Sequence, residues 1–241
     1  MNASTHAPIK RSHLNFALFF PTVLTLVYFL ILDGQATWIQ NGTYGLGKII
    51  QFGLPAWLVW RMNRAALGIH RPRMAGLIPG IVFGAGVFIL VVLLYKYLIK
   101  PNPGLFIPLS EKIQSKVEGF QLNSPSAYLG LSLFYCFLHS GMEEYYWRWF
   151  VFRRLLPHTT LGRAIMISSA GFMAHHVVLL GTFFGFDNPF TYLFSAGVAV
   201  GGAAWAGLYH RCGNFYAPWL SHALVDAAIF WVGYDILFST P

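Results

Sequence analysis

Two consecutive glutamates, Glu143 and Glu144, sit in the stretch Gly141-Met142-Glu143-Glu144-Tyr145-Tyr146-Trp147-Arg148, among aromatic and apolar neighbours. Only eight residues of the 241 are acidic, so placing two side by side in such surroundings is a chemical statement. An ionisable residue at the centre of a membrane helix costs roughly 2.5–3.5 kcal/mol on insertion scales and marks a functional site by default. The other ionisable groups inside apolar stretches are Arg148, His139, His175, His176, His222 and Asp226. Carboxylates and imidazoles together can do acid–base work. A glutamate and a histidine holding one water between them form a general base, since burial lifts the glutamate toward the working range. A second imidazole with a hydrogen-bonding neighbour can stabilise the oxyanion of a tetrahedral intermediate. The set suits attack of water on an amide inside a membrane.

Spacing assigns roles. Glu144 and Arg148 are four apart, share a helix face and are expected to form an ion pair. Glu143 is rotated about 100° from Glu144 and meets Trp147, not a charge, at i+4, so it is read as the working carboxylate. Phe172 and His176 share one face, and so do His222 and Asp226. His139 is read as a core histidine and His210, beside Arg211, as interfacial. The many Trp, Tyr and Phe residues are read as packing and interfacial belts.

These groups must be carried by membrane helices. With 56% apolar and only 10% charged residues, the chain reads as an all-α polytopic transmembrane helical bundle. Segments near 20 residues suffice to cross a hydrocarbon core of about 30 Å. Seven are expected: 14–32, 46–60, 75–99, 127–156, 164–184, 190–209 and 215–238. The first is read as an uncleaved anchor, because its apolar run is too long for a signal peptide and no small-residue cleavage site follows. Residues 101–125, with four prolines and mixed charges, read as a connecting segment with a short interfacial helix. Residues 1–125 then form the N-terminal helices and connection, and 126–241 the catalytic core of one integral bundle.

The net charge of +8 comes from topology. Lys10 and Arg11, then Arg61, Arg64, Arg71 and Arg73, then Arg153, Arg154 and Arg163, then Arg211 fall on alternate flanks, which lack acidic residues. Asp33, Glu111, Glu118, Asp187 and Asp235 occupy the other flanks. The positive-inside rule puts the N-terminus in the cytoplasm. No basic run is long enough to track a phosphate backbone, so no nucleic-acid partner is expected. Cys136 and Cys212 make no disulfide framework or metal-spacing pattern. Counted at 1.5 Å per residue, Glu143 lies about 15 Å below Arg153, and His176 about 20 Å below Arg163. His222 lies about 16 Å beyond Arg211. Three helices bring polar groups to a similar depth.

Three motifs in order now carry a resemblance. Glu143-Glu144-Tyr145-Tyr146-Trp147-Arg148 fits EExxxR, and Phe172-Met173-Ala174-His175-His176 fits FxxxH. His222-Ala223-Leu224-Val225-Asp226 fits HxxxN or HxxxD, and Gly213 to Leu220 looks like its usual lead-in. Residues 126–237 resemble the CPBP family of CAAX proteases and bacteriocin-processing enzymes, also called the Abi family. The resemblance implies an intramembrane glutamic-type endopeptidase in which Glu143 and His176 activate water. It implies that His222 and Asp226 form the oxyanion site while Glu144 and Arg148 position it. Within FxxxH only His176, not His175, completes the spacing. The family's arginine is usually followed by glycine, and here by Trp149. Asp226 either stays protonated or orients His222, because an ionised carboxylate only accepts hydrogen bonds.

The expected partners are the bilayer and a membrane-bound protein or peptide substrate. The resemblance implies release of a C-terminal tripeptide from a prenylated protein, or trimming of a leader or sorting tail. Short loops suggest a bacterial cytoplasmic membrane, or endoplasmic reticulum in a eukaryote. No cofactor is expected. A zinc site made by Glu143, His176, His222 and Asp226 is the alternative, although the HExxH signature is absent. A proton-coupled or non-enzymatic membrane role ranks third, since no inverted repeat is found.

Overall fold

The computed structural model describes residues 9–62, 74–119 and 122–239. Among them there are helices and no strands, as the composition requires. The elements are α1 (Arg11–Leu26), α2 (Thr37–Met62), α3 (Met74–Leu94), α4 (Pro103–Gly119), α5 (Pro125–Leu133), α6 (Ser140–Glu144), α7 (Arg153–Leu155), α8 (Leu161–Phe184), α9 (Pro189–Cys212) and α10 (Tyr216–Phe238). π-helical turns extend α1 over Val27–Ile31 and α3 over Tyr95–Ile99, and others fill Phe134–His139 and Tyr145–Phe152.

Among the described residues, five helices are long and apolar enough to cross a membrane: Arg11–Ile31, Gly76–Ile99, Leu161–Phe184, Pro189–Cys212 and Tyr216–Phe238. The protein is a multi-pass membrane protein. These helices coincide with five of the seven expected segments. The other two are helical but differ in kind. Residues 46–60 lie within α2, which has the length but carries Lys48, Gln51 and Arg61. Residues 127–156 are divided among α5, α6, α7 and two π-helical turns. The connecting segment holds one 17-residue helix, α4, longer than expected. Arg64, Arg71 and Arg73 of the second basic flank lie outside the described residues.

Local chemistry sets the ends of the helices. Ser124 caps α5 by accepting from the Ala127 amide, with Pro125 in the first turn, where its missing N–H costs nothing. Thr160 caps α8 and Asn188 caps α9, again followed by proline at 189. Gly213 ends α9 at φ 64, a left-handed turn that glycine adopts without strain.

The chain forms two compact units, and one of the divisions between them falls between Glu143 and Glu144. One unit holds α1, α2, the Tyr145–Phe152 turn, α7, α8 and α9. In it α8 packs along α9, and α1 along α8. Its core is aromatic: Tyr146, Trp147, Phe150, Phe152 and Phe172 are fully buried. The other unit holds α3, α4, α5, the Phe134–His139 turn, α6 and α10, with α3 packed along α10.

Candidate active site

The α3–α10 pair shows how the second unit fixes its ionisable groups. Gly80 and Gly84 stand one turn apart on α3, a small-xxx-small pattern that lets helix backbones approach closely in a bilayer. A Cβ on Gly80 would strike the Ala217 carbonyl, and one on Gly84 would meet the Ser221 carbonyl oxygen at 2.8 Å. Ala217 and Ser221 are themselves one turn apart on α10. The rotation of α10 is therefore set by backbone contact, with His222 next in the chain.

A second contact fixes α10 against α6. The Trp219 indole N–H donates to the Phe137 carbonyl over 2.9 Å. That carbonyl belongs to the π-helical turn before α6, where the regular i to i−4 ladder is interrupted. Gly141 leaves room for the indole, since a Cβ there would lie 3.0 Å from Trp219 Nε1. His222 follows Trp219 by three residues and Glu143 follows Gly141 by two, so this contact presents imidazole to carboxylate.

The result is a chain of alternating bases and acids. His222 Nε2 stands 3.8 Å from Glu143 Oε2 and 3.7 Å from Asp226 Oδ1. His139 Nδ1 stands 3.8 Å from the same Glu143 Oε2. Glu143 and His222 are buried, and Asp226 is more open. Both carboxylates approach the same nitrogen of His222. Ionised carboxylates only accept, so a proton on that nitrogen would face two acceptors. His139 is the residue that the sequence reading placed apart from the site. Its signal was present: it precedes Glu143 by four, the same spacing that paired Glu144 with Arg148.

In the first unit, Glu144 Oε1 meets Arg148 Nη1 at 2.9 Å, and both side chains are almost wholly enclosed. This is the expected i,i+4 ion pair, and it is more elaborate than spacing alone implied. The guanidinium lies 4.6 Å from the Phe172 ring centroid and 5.1 Å from that of Trp205. Gly202 on α9 leaves space for it, since a Cβ there would lie 3.3 Å from Nη2. The ion pair, two aromatic faces and a glycine notch thus join α8 and α9 to the Tyr145–Phe152 turn. Removing either charge would strand the other in a dry interior.

The intervening residues of the first motif anchor that turn. Tyr146 donates to the Ala17 carbonyl of α1 at 2.7 Å, and Tyr145 to the Phe52 carbonyl of α2 at 3.1 Å. Trp149, standing where glycine is usual, is buried and stacked on Tyr145 at 5.0 Å between centroids. Eight residues of π-helix also compress the run between Glu144 and Arg153. The sequence count of about 15 Å used the α-helical rise, whereas most of this stretch is π-helical.

Phe172, His175 and His176 all lie on α8. His176 Nδ1 is 2.9 Å from the Phe172 carbonyl oxygen. A carbonyl only accepts, so Nδ1 is the N–H and the neutral ring keeps its lone pair on Nε2. His175 lies flat against the Trp147 indole, 5.7 Å between centroids with planes 1° apart. The FxxxH spacing thus has a direct structural reading: the phenylalanine's backbone sets the tautomer of the histidine, and its ring supports Arg148.

Residues 125–228 match the family model described as type II CAAX prenyl endopeptidase Rce1-like. Searches of curated proteins and of solved structures returned no significant match. The matched segment takes in Glu143, Glu144, Arg148, Phe172, His176, His222 and Asp226.

Proposed function

With residues 125–228 an Rce1-like domain of the CPBP family, we propose that this protein is an intramembrane endopeptidase acting on a prenylated, membrane-anchored peptide. The observation that carries the reading is the buried Glu143 carboxylate facing Nε2 of His222 at 3.8 Å. A family of peptidases supplies the reaction class, and this arrangement supplies an acid–base group beside a hydrogen-bond donor.

The proposed steps balance. Glu143, acting with the Nε2 lone pair of His176, takes a proton from water. The resulting hydroxide attacks the scissile carbonyl. Asp226 and Glu143 orient the His222 Nε2–H in the resting site, and that N–H turns to the oxyanion as it forms. Collapse of the intermediate breaks the C–N bond, and Glu143 returns the proton to the leaving amine. Glu144 and Arg148 touch no reacting atom and act as positioning residues. The reading needs no metal, and a tight chelator is expected to leave turnover unchanged. The basic flanks support a cytoplasmic N-terminus.

The test uses the full chain in liposomes with a farnesylated C-terminal CAAX peptide, its unprenylated twin and a bacteriocin-type leader peptide. Release of the C-terminal tripeptide from the farnesylated peptide alone, lost in Glu143→Gln with the protein still inserted, is the expected result. Cleavage only of the leader peptide would move the substrate class. Undiminished cleavage by Glu143→Gln would overturn the mechanism.

A further inference from the structure

His139 and His222 address one oxygen of Glu143. Each imidazole nitrogen lies 3.8 Å from Oε2, one from within the same helical run and one from α10. Two imidazole nitrogens against a single carboxylate oxygen can together fix the plane of the carboxyl group. A general base acts only from a fixed direction, and a small misplacement can cost about a hundredfold in rate. Separations just beyond hydrogen-bonding distance are usual for such contacts before substrate arrives, and they tighten in the reacting complex.

His139 is itself held. Its ring lies 4.8 Å from that of Tyr135, which in turn lies 5.6 Å from Phe230 of α10. It closes the Phe134–His139 π-helical turn, and such interruptions recur at functional sites. The side chain is about a quarter exposed, whereas that of Glu143 is 8% exposed.

We propose that His139 is a positioning residue of the site, an N–H donor at Nδ1 that orients the Glu143 carboxylate. The inference rests on the proteolytic reading above. A purely structural histidine would serve through its ring, packed on Tyr135; a positioning histidine serves through its donor. Two substitutions separate these roles. Asparagine places an amide N–H close to the position of Nδ1 and discards the ring. Phenylalanine keeps the ring and discards the donor.

The experiment measures kcat and KM for His139→Asn and His139→Phe in liposomes, with isotope-edited infrared spectra of the Glu143 carboxylate referenced to Glu143→Gln. The expected result is a kcat lowered roughly tenfold or more in His139→Phe, with KM little changed and a shifted carboxylate stretch. Both should return toward wild type in His139→Asn. Retained kcat in His139→Phe with loss in His139→Asn would overturn the proposal in favour of ring packing. If wild type cleaves nothing, the proteolytic reading fails; the spectra still decide whether His139 donates to Glu143, and an unshifted band in His139→Phe overturns that too.

Discussion

Trp219 donates its indole N–H to the Phe137 carbonyl over 2.9 Å, and this bond ties the helix of His222 to the helix of Glu143. It is a polar contact in an apolar setting, served by a carbonyl that a π-helical turn makes available. Trp219→Phe keeps the packing and loses the bond. Cleavage should fall by a factor of about 2 to 10, the equivalent of one hydrogen bond worth about 0.5–1.5 kcal/mol. Gly141→Ala should cost activity as well, because its Cβ must displace the indole. Steady-state kinetics in liposomes check both, and unchanged rates would remove Trp219 from the positioning of α10.

Close approach of α3 and α10 predicts a stability effect with no acid–base content. Gly84→Val drives a branched side chain into the Ser221 backbone, which cannot yield as a flexible side chain would. Destabilisation of about 1–3 kcal/mol is expected. Thermal unfolding in detergent measures it, with Gly86→Val as the control, since nothing lies within 4 Å of a Cβ there.

Glu144 and Arg148 form an enclosed ion pair. Glu144→Ala or Arg148→Ala should each cost about 3–5 kcal/mol by stranding the remaining charge, and protein yield should fall with activity. The double substitution Glu144→Leu with Arg148→Met should recover yield beyond either single change. Arg148→Lys should not rescue, because a lysine lacks the planar group that lies over Phe172 and Trp205. Quantified membrane-inserted protein decides each case.

Asp226 tests how His222 is held. Asparagine keeps an oxygen that accepts from His222 Nε2, so Asp226→Asn should retain most of kcat/KM, within about threefold. Asp226→Leu removes the acceptor and should lower kcat/KM tenfold or more, the loss of roughly 1.4 kcal/mol of orientation. Equal losses in both would mean that the negative charge itself is needed.

His176 is anchored through Nδ1, so the proposed chemistry would fall to Nε2. His176→Asn reproduces the anchored position but not the distal one. It should be as inactive as His176→Ala while remaining folded and inserted. Residual cleavage by His176→Asn above that of His176→Ala would place the chemistry elsewhere.

Much of this protein was legible in its sequence. Five apolar segments announced themselves by length, because the bilayer permits few other ways to satisfy a backbone. The Glu144–Arg148 pair followed from i,i+4 spacing, and the three motifs from residue types at fixed intervals. Segments with mixed character were harder. Residues 127–156 look like one span by hydropathy but contain two π-helical turns, which depend on how neighbouring side chains serve the carbonyls that fall out of register. His139 precedes Glu143 by four, a spacing that suits a core histidine as well as a partner of the carboxylate.

The sequence by itself determined the class of molecule and the local pairs, since apolar length and i,i+4 spacing depend on residues close along the chain. Tertiary structure alone decided which helices meet and by which atoms. The meeting of Glu143 Oε2 with His222, the capture of the Phe137 carbonyl by Trp219, and the seating of Arg148 between Phe172 and Trp205 join residues far apart in sequence. Their geometry depends on helix rotation, and rotation is fixed by close contacts such as Gly84 against Ser221 that no single segment encodes.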